Sequence, residues 1–322
     1  MKGKDLLDKI NSIDNDLIED AANINKRIKA YNKWYIIAAS LSVVILGTAL
    51  FNNYGMSKYF EHEKGIVSNE EIVSNEEIKN SLVYIPKIEL PKESNASFDM
   101  IGLVVYKGNI YTQAERFIGE SAEKVDSLIG KRLGYAKGNI DEWSKQEAYA
   151  EEFAGTAIGD VYTVNGYNED FRICIKGSYK EDGKEEVEYI EFYENLNGIG
   201  LNTGKDLFGD RLKLEGNYDY VKYITHDNWD NGWPNYNYLD LKDITQVDID
   251  AFIKELYNGE FVSMENTNIY DNPSHHIFVY MKDKTRVELR LFEGGYVGYQ
   301  ALGWYFVKMP GDIFEKIYAA TK

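Results

Sequence analysis

Hydrophobic and polar positions divide this chain into stretches of different character. From Leu6 to Ile28 the apolar residues Leu6, Ile10, Ile13, Leu17, Ala21, Ile24 and Ile28 recur at steps of three and four. That is the stripe of an amphipathic helix. Asp16 with Glu19 fits a capping box, so a second helix can start after a break at Ser12–Asn15. Trp34 to Phe51, "WYIIAASLSVVILGTALF", then carries no charge at all. At ~1.5 Å per residue it is about 27 Å long, close to the ~30 Å hydrocarbon layer of a bilayer. Tyr31, Trp34 and Tyr35 mark one rim and Phe51 and Tyr54 the other, as interfacial aromatics do. The run exceeds a signal-peptide core and residues 1–33 precede it. The only cysteine, Cys174, supplies no lipobox. An uncleaved transmembrane helix over 34–51 is expected.

Residues 66–77 read "IVSNEEIVSNEE", one hexapeptide written twice. A six-residue step turns a helix by roughly −120°, so Ile66, Ile72 and Ile78 build no common stripe. As a strand, both faces would be polar. Residues 52–81 are therefore read as a solvated spacer, since lengthening such a connection costs little.

Beyond the spacer the pattern is mostly of period two. "LVYIPKIELPKES" reads as a strand interrupted by Pro86 and Pro91, and "MIGLVVYKGNIYTQAERF" as a hairpin around Lys107-Gly108-Asn109. Ser121 to Ile129, ended by Gly130, reads as a helix with Ala122, Val125, Leu128 and Ile129 inward. "GDVYTVNGY", "DFRICIKGSY" and "EEVEYIEFYENL" read as three strands, and "RLKLEG" with "DYVKYITHD" as two more. Thr245 to Tyr257 is a helix with Ile249, Phe252, Ile253 and Leu256 on one face. "HIFVYMKD", "RVELRLFE" and "WYFVKMP" are strands before a last helix capped by Asp312, burying Ile313, Phe314 and Ile317. The expected fold class is α+β with antiparallel sheet and a few helices. A break at Leu241–Ile244 would divide it into lobes 82–244 and 245–322, unless they form one continuous domain.

Charge orients the molecule. Lys26, Arg27, Lys29 and Lys33 crowd the N-terminal flank of the apolar run, which puts the N-terminus in the cytoplasm. Residues 1–33 are net +1 in a chain of −17, which leaves −18 on the part expected outside the plasma membrane. So acidic a domain has no basic patch for phosphates and excludes nucleic acid as a partner. One cysteine excludes an internal disulfide framework, and Cys174 alternates with Arg172 and Lys176 as a small buried strand residue would.

Candidate chemistry is sparse. His62 lies in the spacer, His226 in "THDNWDNGW", and His275-His276 are adjacent. Neighbouring strand residues face opposite ways, so both of the pair cannot ligate one metal without a bulge, and the metal alternative is a site joining His226, Asp227 and one of the pair. "DNWDNG" lacks calcium-loop spacing, and no nucleophile elbow, phosphate-binding glycine loop or Cys–His signature is present. No catalytic residue, cofactor or metal ligand is therefore assigned. "NWDNGWPNYNYLDL" sets Trp229, Trp233, Tyr236 and Tyr238 among amides and carboxylates, with Asn231-Gly232 and Pro234 marking a loop. Such rings can stack on a sugar or peptide of the cell envelope, or fold back over the sheet. In "EGGYVGYQALGWYF", Gly294, Gly295 and Gly298 suggest a tight hairpin or bulge, with Tyr296, Tyr299 and Trp304 packing across strands.

"LLDKINSIDNDLIEDA", followed by basic residues and an anchor, resembles the N-termini of single-pass membrane proteins of Gram-positive bacteria, some of them similar to anti-sigma factors. "GDVYTVNGYNEDFRICI" and "VELRLFEGGYVGYQALGWYFVKMPGDIF" resemble ectodomain segments of such proteins. The resemblance covers scattered patches and implies a cytoplasmic partner such as a sigma factor. Residues 1–33 contain neither His nor Cys, so that binding would have to be zinc-free. A segment this short encloses no core. Its stripe of Leu6, Ile10, Ile13 and Leu17 must rest on the membrane surface, on a second copy or on a cytoplasmic protein. Two functions fit: a membrane-anchored regulator with an extracellular sensing domain, or a tethered surface module that binds an envelope glycan or peptide.

Overall fold

The computed structural model describes residues 82–88, 101–141, 144, 146–180, 183, 185–232, 235–299 and 302–322. The expected amphipathic helix with Leu6, Ile10, Ile13 and Leu17, the expected transmembrane helix and the spacer lie outside the described residues. Among the described residues no helix is long and apolar enough to cross a membrane. Residues 102–322, with 82–88, belong to one compact unit. Its fold is α+β, built on antiparallel sheets with few helices.

The chain enters on β1 (Val83–Ile85), which stops at Pro86 and pairs with the later β8 (Ile199–Leu201). A hairpin follows, β2 (Leu103–Tyr106) and β3 (Asn109–Ile118). Its turn residues Lys107 and Gly108 both have positive φ, 50° and 69°, the handedness that matches strand twist. With β4 (Ile129–Lys137), β5 (Ile158–Val164), β6 (Arg172–Lys180) and β7 (Glu186–Glu194) they form a six-stranded sheet in the order β2-β3-β7-β6-β5-β4. One face packs Val104, Tyr111, Val161, Ile173, Ile175 and Tyr193. The other receives α1 (Glu120–Val125) and the 3₁₀ turn Asp126–Leu128, which set Ala122, Val125 and Leu128 on Cys174, Ile190 and Phe192. The expected helix thus ends early, because Ile129 opens β4 rather than closing a helical turn. Cys174 is fully buried, and burial pushes its thiol up to about 12, so it is inert at neutral pH.

The second sheet has seven strands. They are β9 (Tyr218–Ile224), β10 (Leu239–Asp240), β11 (Glu260–Ser263), β12 (His275–Met281), β13 (Arg286–Phe292), β14 (Tyr296–Tyr299) and β15 (Tyr305–Lys308), in the order β10-β9-β12-β13-β14-β15-β11. Leu241–Ile244 therefore lies between strands of a single sheet. The expected strand "RLKLEG" is instead a series of turns after the π-helical turn Lys205–Gly209. Lys213 sits at φ 57°, which no strand accommodates, yet Leu212 and Leu214 are fully buried.

The main core lies between one face of this sheet and two helices, with the turns at 205–214 filling beside them. Helix α2 (His226–Asn231) lies on the opposite face. Helix α3 (Gln246–Asn258) starts at a complete capping box, Thr245 with Asp248, and buries Ile249, Phe252, Ile253 and Leu256. Helix α4 (Asp312–Ala320) buries Phe314, Ile317 and Tyr318, with Ile313 half-buried. Its N-cap is Gly311 at φ 92°. Asp312 is the first helical residue, where its charge favours the positive helix end without capping it. Gly294 and Gly295, at φ 84° and 85°, form the tight β13–β14 turn.

Candidate functional site

Strands β12 and β13 alternate strictly. Ile277, Val279, Met281, Val287, Leu289 and Leu291 enter the main core, so His276, Phe278, Tyr280, Arg286, Glu288 and Arg290 share the opposite face. The antiparallel register sets His276 against Arg290, Phe278 against Glu288 and Tyr280 against Arg286. A sheet face carrying five ionisable groups needs a cover that offers partners.

The segment between β9 and β10 is that cover. The Thr225 hydroxyl accepts from the Asn228 N–H at 3.2 Å and starts α2, so the chain is helical where a loop was expected. This turn places Trp229 flat on His276, with ring centroids 4.1 Å apart and planes 15° from parallel. Tyr236 stacks on Trp229 at 5.7 Å, and Tyr238 meets Phe278 edge-on at 5.1 Å. Arg286 donates to the Tyr238 hydroxyl at 2.9 Å with its guanidinium 4.9 Å from the Phe278 centroid. Trp229, Tyr236 and Tyr238 are brought together, each half-buried and engaged with the others or with the sheet. Trp233 lies outside the described residues. At the rim, Tyr220 and Tyr280 stack at 4.5 Å, and Tyr220 is 49% exposed.

A polar line runs beneath the rings. His276 is fully buried; its Nδ1 lies 2.9 Å from Glu288 Oε1 and its Nε2 2.9 Å from Ser274 Oγ. Burial depresses the His276 pKa, so the ring is neutral at pH 7. Burial alone would raise the Glu288 carboxyl, but the bond to His276 and the charges of Arg290 and Arg286 outweigh it and hold it below the usual range. A carboxylate only accepts, so Nδ1 carries the imidazole proton and Nε2 accepts from the Ser274 hydroxyl. Arg290 is 5% exposed; its Nε is 3.5 Å from Glu288, and its Nη2 has no hydrogen-bond partner among the described residues.

The two adjacent histidines do face opposite ways. His275 stacks on Tyr318 of α4 and bonds to the Thr321 hydroxyl at 2.6 Å, on the side away from His276. His226 pairs with Asp230 at 3.3 Å. Among the described residues no group of three or more His, Cys, Asp or Glu side chains is placed to hold a metal ion. Ser274, Glu288 and Arg290 were not singled out in the sequence. Their only signal is the period-two spacing of 274 with 276 and of 288 with 290, which does not say that the two strands pair. No family model, curated protein or solved structure matches this chain.

Proposed function

We propose that this protein is a single-pass membrane regulator. Residues 34–51 anchor it, the N-terminus is cytoplasmic, and the acidic α+β domain faces outward as a sensor. The observation that carries the reading is the stripe of Leu6, Ile10, Ile13 and Leu17 on a segment too short to enclose a core, directly before an uncharged run of membrane-spanning length. A zinc-free hold on a cytoplasmic transcription factor of the sigma class satisfies that stripe.

The test is the double substitution Ile10→Asp and Ile13→Asp, which removes the apolar contact and keeps the basic residues that orient the anchor. Affinity purification at matched expression should recover a sigma-class factor with wild type and lose it with the variant. Identical partners, with the domain still displayed at the surface, would contradict the regulator.

A second reading, a tethered module that binds an envelope glycan or peptide, is favoured by the aromatic layer of Trp229, Tyr236 and Tyr238 beside the exposed Tyr220–Tyr280 stack. It requires the purified domain to bind isolated cell wall and Tyr220→Ala to weaken that binding at unchanged stability.

A further inference from the structure

Ser274, His276 and Glu288 form an unbroken hydrogen-bonded line, serine hydroxyl to imidazole to carboxylate, with both links at 2.9 Å. We propose that this line is an acyl-transfer site in which Ser274 is the nucleophile, His276 its general base, and Glu288 the group that orients the imidazole. Four observations carry the assignment. The separation of Ser274 Oγ from Nε2 suits proton transfer, and the Glu288 carboxylate fixes the tautomer that leaves Nε2 free to accept. Burial keeps the imidazole neutral, as a base must be. Ser274 is half-buried and follows exposed Asp271, Asn272 and Pro273, while its partner His276 lies under Trp229. Arg290, directly opposite His276 in the strand register, sets its Nε 3.5 Å from Glu288 Oε1 and helps keep that carboxylate charged.

The substrate class is a neutral or cationic acyl ester, since the strongly acidic chain repels anionic ones. In the first half-reaction the Ser274 Oγ forms a bond to the acyl carbon while its proton passes to His276 Nε2, and the carbonyl electron pair moves onto oxygen. Collapse breaks the bond to the leaving alcohol, which takes the proton from His276. Water then attacks the acyl-serine, giving its proton to His276. The second collapse releases the carboxylic acid and returns the proton to Ser274. No redox step or metal is required.

A fluorophosphonate probe tests this on the full-length protein in membranes, because a serine so activated displaces fluoride and keeps the phosphonyl group. At pH 7.5 the probe should label Ser274, located by mass spectrometry of the peptide. Ser274→Ala, melting like wild type, should lose the label entirely, and His276→Gln should lose it too. Glu288→Gln should slow labelling by roughly 10²–10⁴-fold, the scale on which misorienting such a base acts. The wild-type rate should be level above pH 7 and fall about tenfold per pH unit once the imidazole is protonated. Folded wild type labelled no more than Ser274→Ala, while an authentic serine hydrolase in the same tube labels fully, would overturn the proposal. Labelling of Ser274 at the wild-type rate in His276→Gln would overturn the role given to His276.

Discussion

Tyr299 donates its phenolic proton to Glu194 Oε2 at 2.8 Å and so ties β14 of the seven-stranded sheet to the end of β7 in the six-stranded one. The other oxygen of Glu194 accepts from Arg172 Nε at 3.0 Å, and all three groups lie in the interior. Arg172 lies 4.2 Å from the centroid of Tyr167, whose hydroxyl donates at 2.7 Å to Asp283 in the β12–β13 turn. Beside it, Arg286 N–H donates to Glu115 Oε2 at 2.9 Å. The two sheets are joined where Tyr299 reaches Glu194, Tyr167 reaches Asp283 and the Arg286 N–H reaches Glu115.

Removing one member should therefore cost more than the bond it makes. Tyr299→Phe leaves a buried carboxylate oxygen short of a donor and should lower stability by about 1–3 kcal/mol. Glu194→Gln leaves the Arg172 charge uncompensated and should cost about 3–5 kcal/mol. Denaturant unfolding checks both, and losses under about 0.5 kcal/mol, the level of an ordinary surface change, would contradict the seam.

Glu115 makes the same seam sensitive to pH. Burial pushes its carboxyl up to about 7 from the ordinary 4.5, against the opposing pull of Arg286. Between those values the native state holds more protons than the unfolded chain, so stability falls as pH rises through the window and the loss is complete above it. Glu115→Gln can still accept from Arg286 N–H but has no proton to lose. Its stability relative to wild type should rise from pH 4.5 to pH 8 by at most ~3 kcal/mol, less as residual solvent screens the group. A difference that stays flat over this range would contradict it.

Gly204 lies where the turns at 205–214 approach the end of α3. A Cβ there would sit 1.8 Å from the Leu256 carbonyl oxygen, a position no side chain can take. Gly204→Ala should cost about 2–3 kcal/mol through forced separation of the two segments. Gly216, at φ 72° with nothing within 4 Å of an added Cβ, should lose only about 1–2 kcal/mol of backbone strain on change to Ala. Melting curves that rank the two the other way would contradict this packing.

Legibility in the sequence followed locality. Helix α3 could be read because Thr245, Asp248 and the spacing of Ile249, Phe252, Ile253 and Leu256 all lie within one segment. Strand β4 could not, since "IGKRLGYAK" has no clean alternation and its pairing with β5 shifts register twice, after Ile129 and after Arg132. "RLKLEG" alternates like a strand but turns at Lys213. For the candidate site, the rings of Trp229, Tyr236 and Tyr238 were visible as a cluster. The line from Ser274 to Glu288 depends on which strand pairs with which. The Glu194–Tyr299 bond spans a sequence separation of 105 and leaves no local trace.

The central claim, an outward-facing domain on an N-terminal anchor, is tested most directly by adding protease to intact protoplasts. Residues 52–81 are expected to be solvated and uncored, so cleavage should fall there. The predicted result is a soluble fragment that starts within 52–81 and holds the folded residues 102–322, while residues 1–51 stay with the membrane. Full protection of the domain, under conditions that digest a known surface protein, would contradict the topology and with it the proposed function.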